Sequence, residues 1–383
     1  MSRSDFHGTV VIAAANNWDG VRMADRQLAE SLSSICPVLY VDPPASAATQ
    51  WRGGHRSLSA LRSELSLVGP GLARLTPVVA PGLTRAGVAE LNLRLIARQV
   101  RRAIAQLEGT VHAVVESSVL IPIAGRCGEE RTIYWAQDDF AGGADLLGLD
   151  AGRLARGEQR LIASVDAIIA ANPLVRDTIV RGGHHAELIP YGCDAALFAT
   201  AADATPAPGV DLPGPIAGFM GHLGDRIDLA MLTAVADLGV SLLLVGPLHA
   251  RSDHAAFDEL LGRENVQWVG EQDFESLPSW LTHMHVGLLP YNHSAFNQGS
   301  FPLKTLEYLA AGIPVVASDL PAIRWLGTDE IVVADNPAAF AKAVAAALTV
   351  PRSPEGDARR REFAAGHTWN DRAVAFARHL GVG

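Results

Sequence analysis

Residues 297–321 read NQGSFPLKTLEYLAAGIPVVASDLP, and three kinds of local order follow one another within them. Gly299 and Ser300 make a loop, Pro302 stands in the first turn of a helix, and Gly312 closes that helix before the apolar run PVVAS. Loop, helix and buried strand in this order are one winding of an α/β domain. The same winding recurs on the amino-terminal side as TVVIAAA, PVLYVDP, HAVVES, RTIYWAQD, DAIIAAN and HAELIPYG. It recurs around the quoted stretch as IAGFMGHL, SLLLVGP, VQWVG, HVGLLPY and EIVVAD, each run bounded by Gly, Pro, Asn or Asp. Apolar strands without polar alternation predict parallel sheets covered by helices on both faces, the doubly wound arrangement.

The 383 residues exceed what one core supports, so two domains are expected. Residues 199–215, ATAADATPAPGVDLPGP, lack periodicity and read as a linker, which predicts a first domain over 1–200 and a second over 214–367, with a cleft between them. With 49% hydrophobic and 19% charged residues the chain has the material for large cores, and its net charge of −10 argues against a nucleic-acid partner. Cys36, Cys127 and Cys193 are widely spaced without a CxxC pair, which fits a reducing cytoplasm. Asp5 and the lack of a small-residue cleavage site argue against a signal peptide, and no apolar stretch is long enough to span a bilayer.

Residues 50–106 depart from the acidic average, with nine arginines against Glu64 and Glu90, a balance of +7. Leu91, Leu95 and Val100 recur near helical spacing with arginines between them. Such a helix is either a solvated face or a docking surface for an anionic membrane, a peripheral contact at its inner face.

No GxGxxG follows the first strand, and no GxxxxGK[ST], HExxH or Asp-x-Asp pair occurs. Histidines such as His184, His185, His249 and His283 lack partners at ligand spacing, so neither metal nor cofactor is expected. The quoted stretch suits an anion instead. Backbone N–H groups of Gly299, Ser300 and Phe301 beside a helix N-terminus, with Lys304 one turn in, make a phosphate site. Glu307 can accept two hydroxyl protons from a ribose diol, or can form an i,i+3 ion pair with Lys304.

FPLKTLEYLAAGIPVVASDLP resembles the donor-site helix and strand of retaining GT-B glycosyltransferases of family 4, whose Glu-x7-Glu motif ends in a ribose-binding glutamate. Glu307 matches that glutamate, while Gly299 stands eight residues earlier where the pattern is departed from. A similar SPLK-type variant occurs in the subgroup resembling teichuronic acid biosynthesis glycosyltransferases. NNWDGVRMADRQLAESLSSICPVLYVDPP, YWAQDDF and GHLGDRIDLAMLTAVA resemble further parts of that subgroup, so the likeness spans nearly the whole chain.

The resemblance implies two Rossmann-like domains and transfer of a sugar, with retention, from a nucleotide-diphosphate donor. The acceptor would be a glycan, lipid-linked or small molecule. It places Arg226 and Lys304 on the donor diphosphate, Gly221 and His222 at the loop after the first strand of the second domain, and Gly246, Gly270 and Glu271 near the base. Arg226 has the alternative of pairing with Asp225 or Asp228. Acceptor contacts fall on Asn17, Trp18, Asp19 and Arg22. Asp138 or Asp139 would orient the acceptor hydroxyl or stabilise charge at the sugar, or else cap the next helix. The stretch from 368 to 383 resembles the tail that crosses back onto the first domain. A nucleotide-sugar epimerase and a non-catalytic subunit, the latter suggested by the missing first glutamate, are the competing functions.

Overall fold

TVVIA at Thr9–Ala13 is buried along its whole length, which only a strand covered on both faces permits. The computed structural model describes residues 6–46, 63–82, 85, 87–144, 148–249 and 254–382. Among the described residues the first part of the chain has ten strands: β1 (Thr9–Ala13), β2 (Val38–Val41), β3 (Ala45–Ser46), β4 (Glu64–Gly69), β5 (Leu72–Thr76), β6 (Val78–Val79), β7 (Val111–Glu116), β8 (Arg131–Ala136), β9 (Ala167–Ala170) and β10 (Glu187–Leu188). Eight of them form one sheet in the order β10-β9-β8-β7-β1-β2-β5-β4, parallel except where β4 returns antiparallel along β5. β3 and β6 pair separately. The sequence pattern indicated the buried parallel strands and missed the β4–β5 hairpin, because its strand β4 is an exposed edge without an apolar run.

The second sheet is wholly parallel, with β11 (Ile216–Met220), β12 (Ser241–Val245), β13 (Val266–Trp268), β14 (Val286–Leu289), β15 (Val315–Ser318) and β16 (Ile331–Ala334) in the order β13-β12-β11-β14-β15-β16. This is the doubly wound strand order, and it reverses between β11 and β14. In the first sheet the reversal falls between β1 and β7. Ligands of such sheets bind outside the strand carboxyl ends at these points.

The chain divides into Met1–Pro190 with Trp369–Gly383, and Tyr191–Thr368. The division therefore precedes residues 199–215, which lie inside the second unit and not between domains. Packing holds them there: Ala207 exchanges hydrogen bonds with Ser279 and His283 at 3.0 and 2.8 Å, and Phe198, just before the stretch, meets Phe274 edge-on at 5.6 Å. The last helix, Trp369–Leu380, packs in the first unit on the helix Ala24–Leu32 and sets Phe376 against Trp135 at 5.2 Å.

The arginine-rich segment forms the helix Val88–Gln106, whose buried face is Asn92, Ile96, Val100, Ala103 and Ile104. Leu91, read from spacing as part of the apolar stripe, is 51% exposed and lies off that face. Arg94, Arg98, Arg101 and Arg102 are exposed on this helix, and Arg94 pairs with Glu90 at 2.9 Å. Arg74 instead bridges Asp42 and Asp19 at 2.7 Å each. Arg52, Arg56 and Arg62 lie outside the described residues.

Candidate functional site

At the reversal point of the second sheet, backbones meet more closely than side chains allow. Gly221 donates its N–H to Val245 O at 2.8 Å, and Gly246 adopts φ 134°, where a Cβ would run into Gly221 O. The Gly246 N–H donates to Gly270 O, and its carbonyl accepts from the Trp268 indole, both at 2.8 Å. The Gly246 amide, expected near a base, is thus already engaged. What this edge presents to solvent is Trp268, 40% exposed, and the exposed carboxylate Glu271. Trp268 was not apparent from the sequence, where it reads as a strand residue.

Arg226 stands in the loop between β11 and the helix Leu229–Asp237. Neither Asp225 nor Asp228 pairs with it; Asp228 caps the helix by accepting from Met231 N–H. Arg226 Nε donates instead to the fully buried Asn297 Oδ1 at 2.8 Å, and the guanidinium lies over the rings of Tyr291 and Phe296 at 4.9 and 4.8 Å. Asn297 is held in turn by donating to Arg226 O and Asn292 O, each at 2.9 Å. The arginine is fixed in place by an amide and two rings, and no carboxylate among the described residues pairs with it.

The loop from 299 to 301 corrects a sequence expectation. The Gly299 and Ser300 N–H groups are turned inward, to Ala295 O at 3.1 Å and Asn297 O at 3.3 Å, because they close the short helix Ala295–Gln298. Phe301 is buried with its ring edge-on to Tyr191 and Trp325. Pro302 precedes the helix Leu303–Ala310 as its cap instead of entering its first turn, so the amides that open this helix are those of Leu303 and Lys304.

Tyr308 clamps that helix to the sheet. Its hydroxyl accepts from Met220 N–H at 2.7 Å, and its ring fills the space over Gly287, where a Cβ would come within 2.5 Å. Lys304 is thereby set against Gly221, its Cε 3.4 Å from where a Cβ would stand, and it makes no ion pair among the described residues. The i,i+3 pair with Glu307 is not formed. Glu307 is buried, and its Oε2 has no hydrogen-bond partner. Burial raises its pKa; the Lys304 charge pulls it down and Asp194 pushes it further up. His222, at the start of the β11 loop, is held below its ordinary value by burial and then by Lys304, with Glu271 acting the other way. Lys304, Glu307, Gly221 and His222 therefore share one neighbourhood. A cation without an ion pair among the described residues, near a buried carboxyl with one unpartnered oxygen, is an arrangement that a ligand can complete.

Residues 215–349 match the family model described as Glycosyl transferases group 1. Among solved structures, sucrose-phosphate synthase from Thermosynechococcus elongatus superposes with a TM-score of 0.73 at 19% identity, covering 97% of this chain and 98% of that one. The chain has the GT-B fold, and its residues 215–349 are similar to a group 1 glycosyl transferase domain. Another GT-B structure, Anabaena HepE in complex with UDP and glucose, superposes with a TM-score of 0.67 at 12% identity over 98% of this chain and all 100% of that one. At such identities the likeness is one of fold. A curated relative, TuaH of Bacillus subtilis (strain 168), named as a provisional teichuronic acid biosynthesis glycosyltransferase, is 29% identical over 225 residues, 56% of this chain and 56% of the relative. The chain thus spans about half the length of the curated relative it matches.

In the amino-terminal unit of this GT-B fold, the loop after β1 is engaged more by the protein than expected. Trp18 is buried, edge-on to Tyr40 at 5.1 Å, under the Arg26 guanidinium at 4.5 Å, with its N–H on Asp42. Asp19 pairs with Arg74, and Arg22 with Glu30. Asn17 is exposed. Asp139 accepts from Gly142 N–H at 2.8 Å within a turn, the helix Ala151–Ile162 being capped by Asp150, and Asp138 lies half-buried beside it. The organiser that sequence reasoning missed is Asp25, fully buried, which accepts from Ala15 N–H at 3.1 Å, Asn16 Nδ2 at 3.0 Å and Gln137 Nε2, tying the ends of β1 and β8. Burial raises its pKa against those hydrogen bonds. Among the described residues no cluster of His, Cys, Asp and Glu could hold a metal ion, and no helix is long and apolar enough to cross a membrane.

Proposed function

We propose that the protein is a retaining glycosyltransferase that takes a sugar from a nucleotide-diphosphate donor held at the β11–β14 reversal of its second unit, with the acceptor on the first. The observation that carries this reading is the nearness of Lys304, which makes no ion pair among the described residues, to the buried Glu307, whose Oε2 has no hydrogen-bond partner, on one helix. Glu307 accepts the ribose hydroxyls. Arg226, Lys304 and the first amides of the Leu303–Ala310 helix stabilise the leaving diphosphate, an electrostatic task in which cationic side chains take the place of a divalent metal. Trp268 and Glu271 lie where a base would meet the protein edge. That HepE is described with UDP and glucose supports the donor class.

The test is a thermal-shift series with UDP, GDP, dTDP and ADP in excess EDTA. A ligand at about 100 times its Kd stabilises the folded state by about 2.7 kcal/mol, so the matching nucleotide raises the melting temperature by several degrees. A shift that vanishes in EDTA and returns with manganese overturns the metal-free assignment, and no shift with any nucleotide overturns the donor site. Nucleotide binding without transfer to any acceptor favours the non-catalytic subunit, which Gly299 in place of the first glutamate recommends.

The exposed arginines of the Val88–Gln106 helix extend the proposal to an anionic or lipid-linked acceptor presented at a membrane surface. Each contributes roughly 1 kcal/mol near an anionic bilayer. Replacing Arg94, Arg98, Arg101 and Arg102 together by Gln is expected to abolish sedimentation with anionic vesicles at low salt and to leave nucleotide binding unchanged. Wild-type protein that ignores such vesicles sinks the membrane contact.

A further inference from the structure

The loop that leaves β11 is zipped to the loop that leaves β12. Gly221 N–H donates to Val245 O at 2.8 Å, Leu223 N–H donates to Pro247 O at 2.9 Å, and Leu223 O accepts from His249 N–H at 2.8 Å. The backbone is thus bonded on both sides of His222, which reaches solvent at the carboxyl end of the strand. Gly221 sets it beside Lys304, whose Cε lies 3.4 Å from where a Gly221 Cβ would stand. Among the described residues, the charged or titratable groups that face the imidazole come from four places. They are Lys304 of the Leu303–Ala310 helix, Glu271 after β13, His249 after β12 and Arg226 of its own loop.

A histidine in this company behaves differently from a further lysine. Its ordinary pKa near 6.5 leaves an imidazole mostly neutral in mildly alkaline solution. Partial burial, Lys304, His249 and Arg226 all disfavour the charged ring, and Glu271 favours it. A nucleoside diphosphate reverses that balance. Its terminal phosphate has a second pKa of about 6, so at mildly alkaline pH it carries close to two negative charges. An opposite charge within about 4–6 Å moves a side-chain pKa by about 1–3 units toward the charged form.

We propose that His222 is a conditional cation of this site, neutral until a nucleoside diphosphate binds and then protonated at its second ring nitrogen by one proton taken from solvent. The inference rests on the donor reading above and adds to it a coupling that permanently charged side chains cannot supply. By reciprocity, the factor that the anion adds to the proton affinity is the factor that the proton adds to the anion affinity. Donor binding therefore weakens as pH rises.

The nucleotide among UDP, GDP, dTDP and ADP that raises the melting temperature most is titrated by calorimetry in EDTA, in HEPES and in Tris at one mildly alkaline pH. These buffers differ in ionisation enthalpy, so the difference in heat counts the protons taken up. Wild type is expected to take up about half a proton or more per nucleotide, and His222→Gln none. Between about pH 6.5 and 8.5 the wild-type affinity is expected to fall about tenfold further than that of His222→Gln, one unit of pKa being a factor of ten. His222→Lys, a fixed cation, should bind without uptake, and it decides the matter where His222→Gln binds too weakly to titrate. The inference is overturned if wild type binds without net proton uptake, if uptake persists in His222→Gln or His222→Lys, or if it is lost in His249→Gln instead. In each of those outcomes the nucleotide still binds and the donor reading stands. Failure of all four nucleotides to bind wild type overturns both.

Discussion

Glu307→Ala is expected to weaken nucleoside-diphosphate binding by about 1.5–3 kcal/mol, roughly 10- to 150-fold, the worth of hydrogen bonds to a charged group. The same carboxyl burdens the folded protein, since it is buried with an oxygen that nothing partners. Its pKa is raised on folding, so the folded state holds the proton more tightly than the unfolded chain does. The linkage sign follows: stability is full below the unfolded pKa and is lost as pH rises through the folded one. Glu307→Gln should therefore unfold at higher urea than wild type at alkaline pH, with the gap closing in acid, while its nucleotide affinity falls. A variant that loses stability and affinity together would make Glu307 a structural residue.

The second large effect lies at the other end of the same helix. Arg360 is 8% exposed and donates to Gly312 O at 2.8 Å, to Glu330 at 2.9 Å and to Asp357 at 2.8 Å, with Arg352 joining Asp357 at 2.7 Å. Breaking a buried pair costs about 3–5 kcal/mol because the abandoned charge stays buried. Arg352 and Arg359 still reach the two carboxylates, so Arg360→Ala is expected near the low end, about 3 kcal/mol by urea unfolding. Burial works against the Asp357 carboxylate, but Arg352 and Arg360 overcome it and hold the pKa below the ordinary value. That contribution is present above the unfolded pKa and lost as pH falls, so the penalty of the variant should shrink in acid. An unchanged midpoint at neutral pH would show the network to be a solvated one.

Apolar runs without alternation made both parallel sheets readable, since a strand covered on two faces can carry little polarity. The Gly and Pro punctuation around 297–321 likewise located the helix of Lys304 and Glu307. The loop from 299 to 301 was less readable, because whether an amide faces a ligand or closes a turn depends on the helix before it. Asn297 and Asp25 escaped for a shared reason: each matters through a partner far along the chain, Arg226 and Gln137, and one residue letter does not show its partners. The stretch 199–215 misled by composition, as Pro and Ala mark a linker only when nothing packs on them, and Ala207 is buried and bonded to Ser279 and His283.

The division of the chain at Pro190 and again at Trp369 also has a consequence for synthesis. Residues 1–190 leave the ribosome before the second unit but lack the helix that covers Trp135 and the Ala24–Leu32 helix until Trp369–Leu380 has emerged. At roughly 5–20 residues per second the intervening second unit takes on the order of 10–40 s to translate. During that time the nascent first sheet carries an uncovered apolar face, and the second unit, contiguous in sequence, can fold ahead of it. Order of birth and order of completion are reversed, so chains that stop short of the last helix should be the ones chaperones retain.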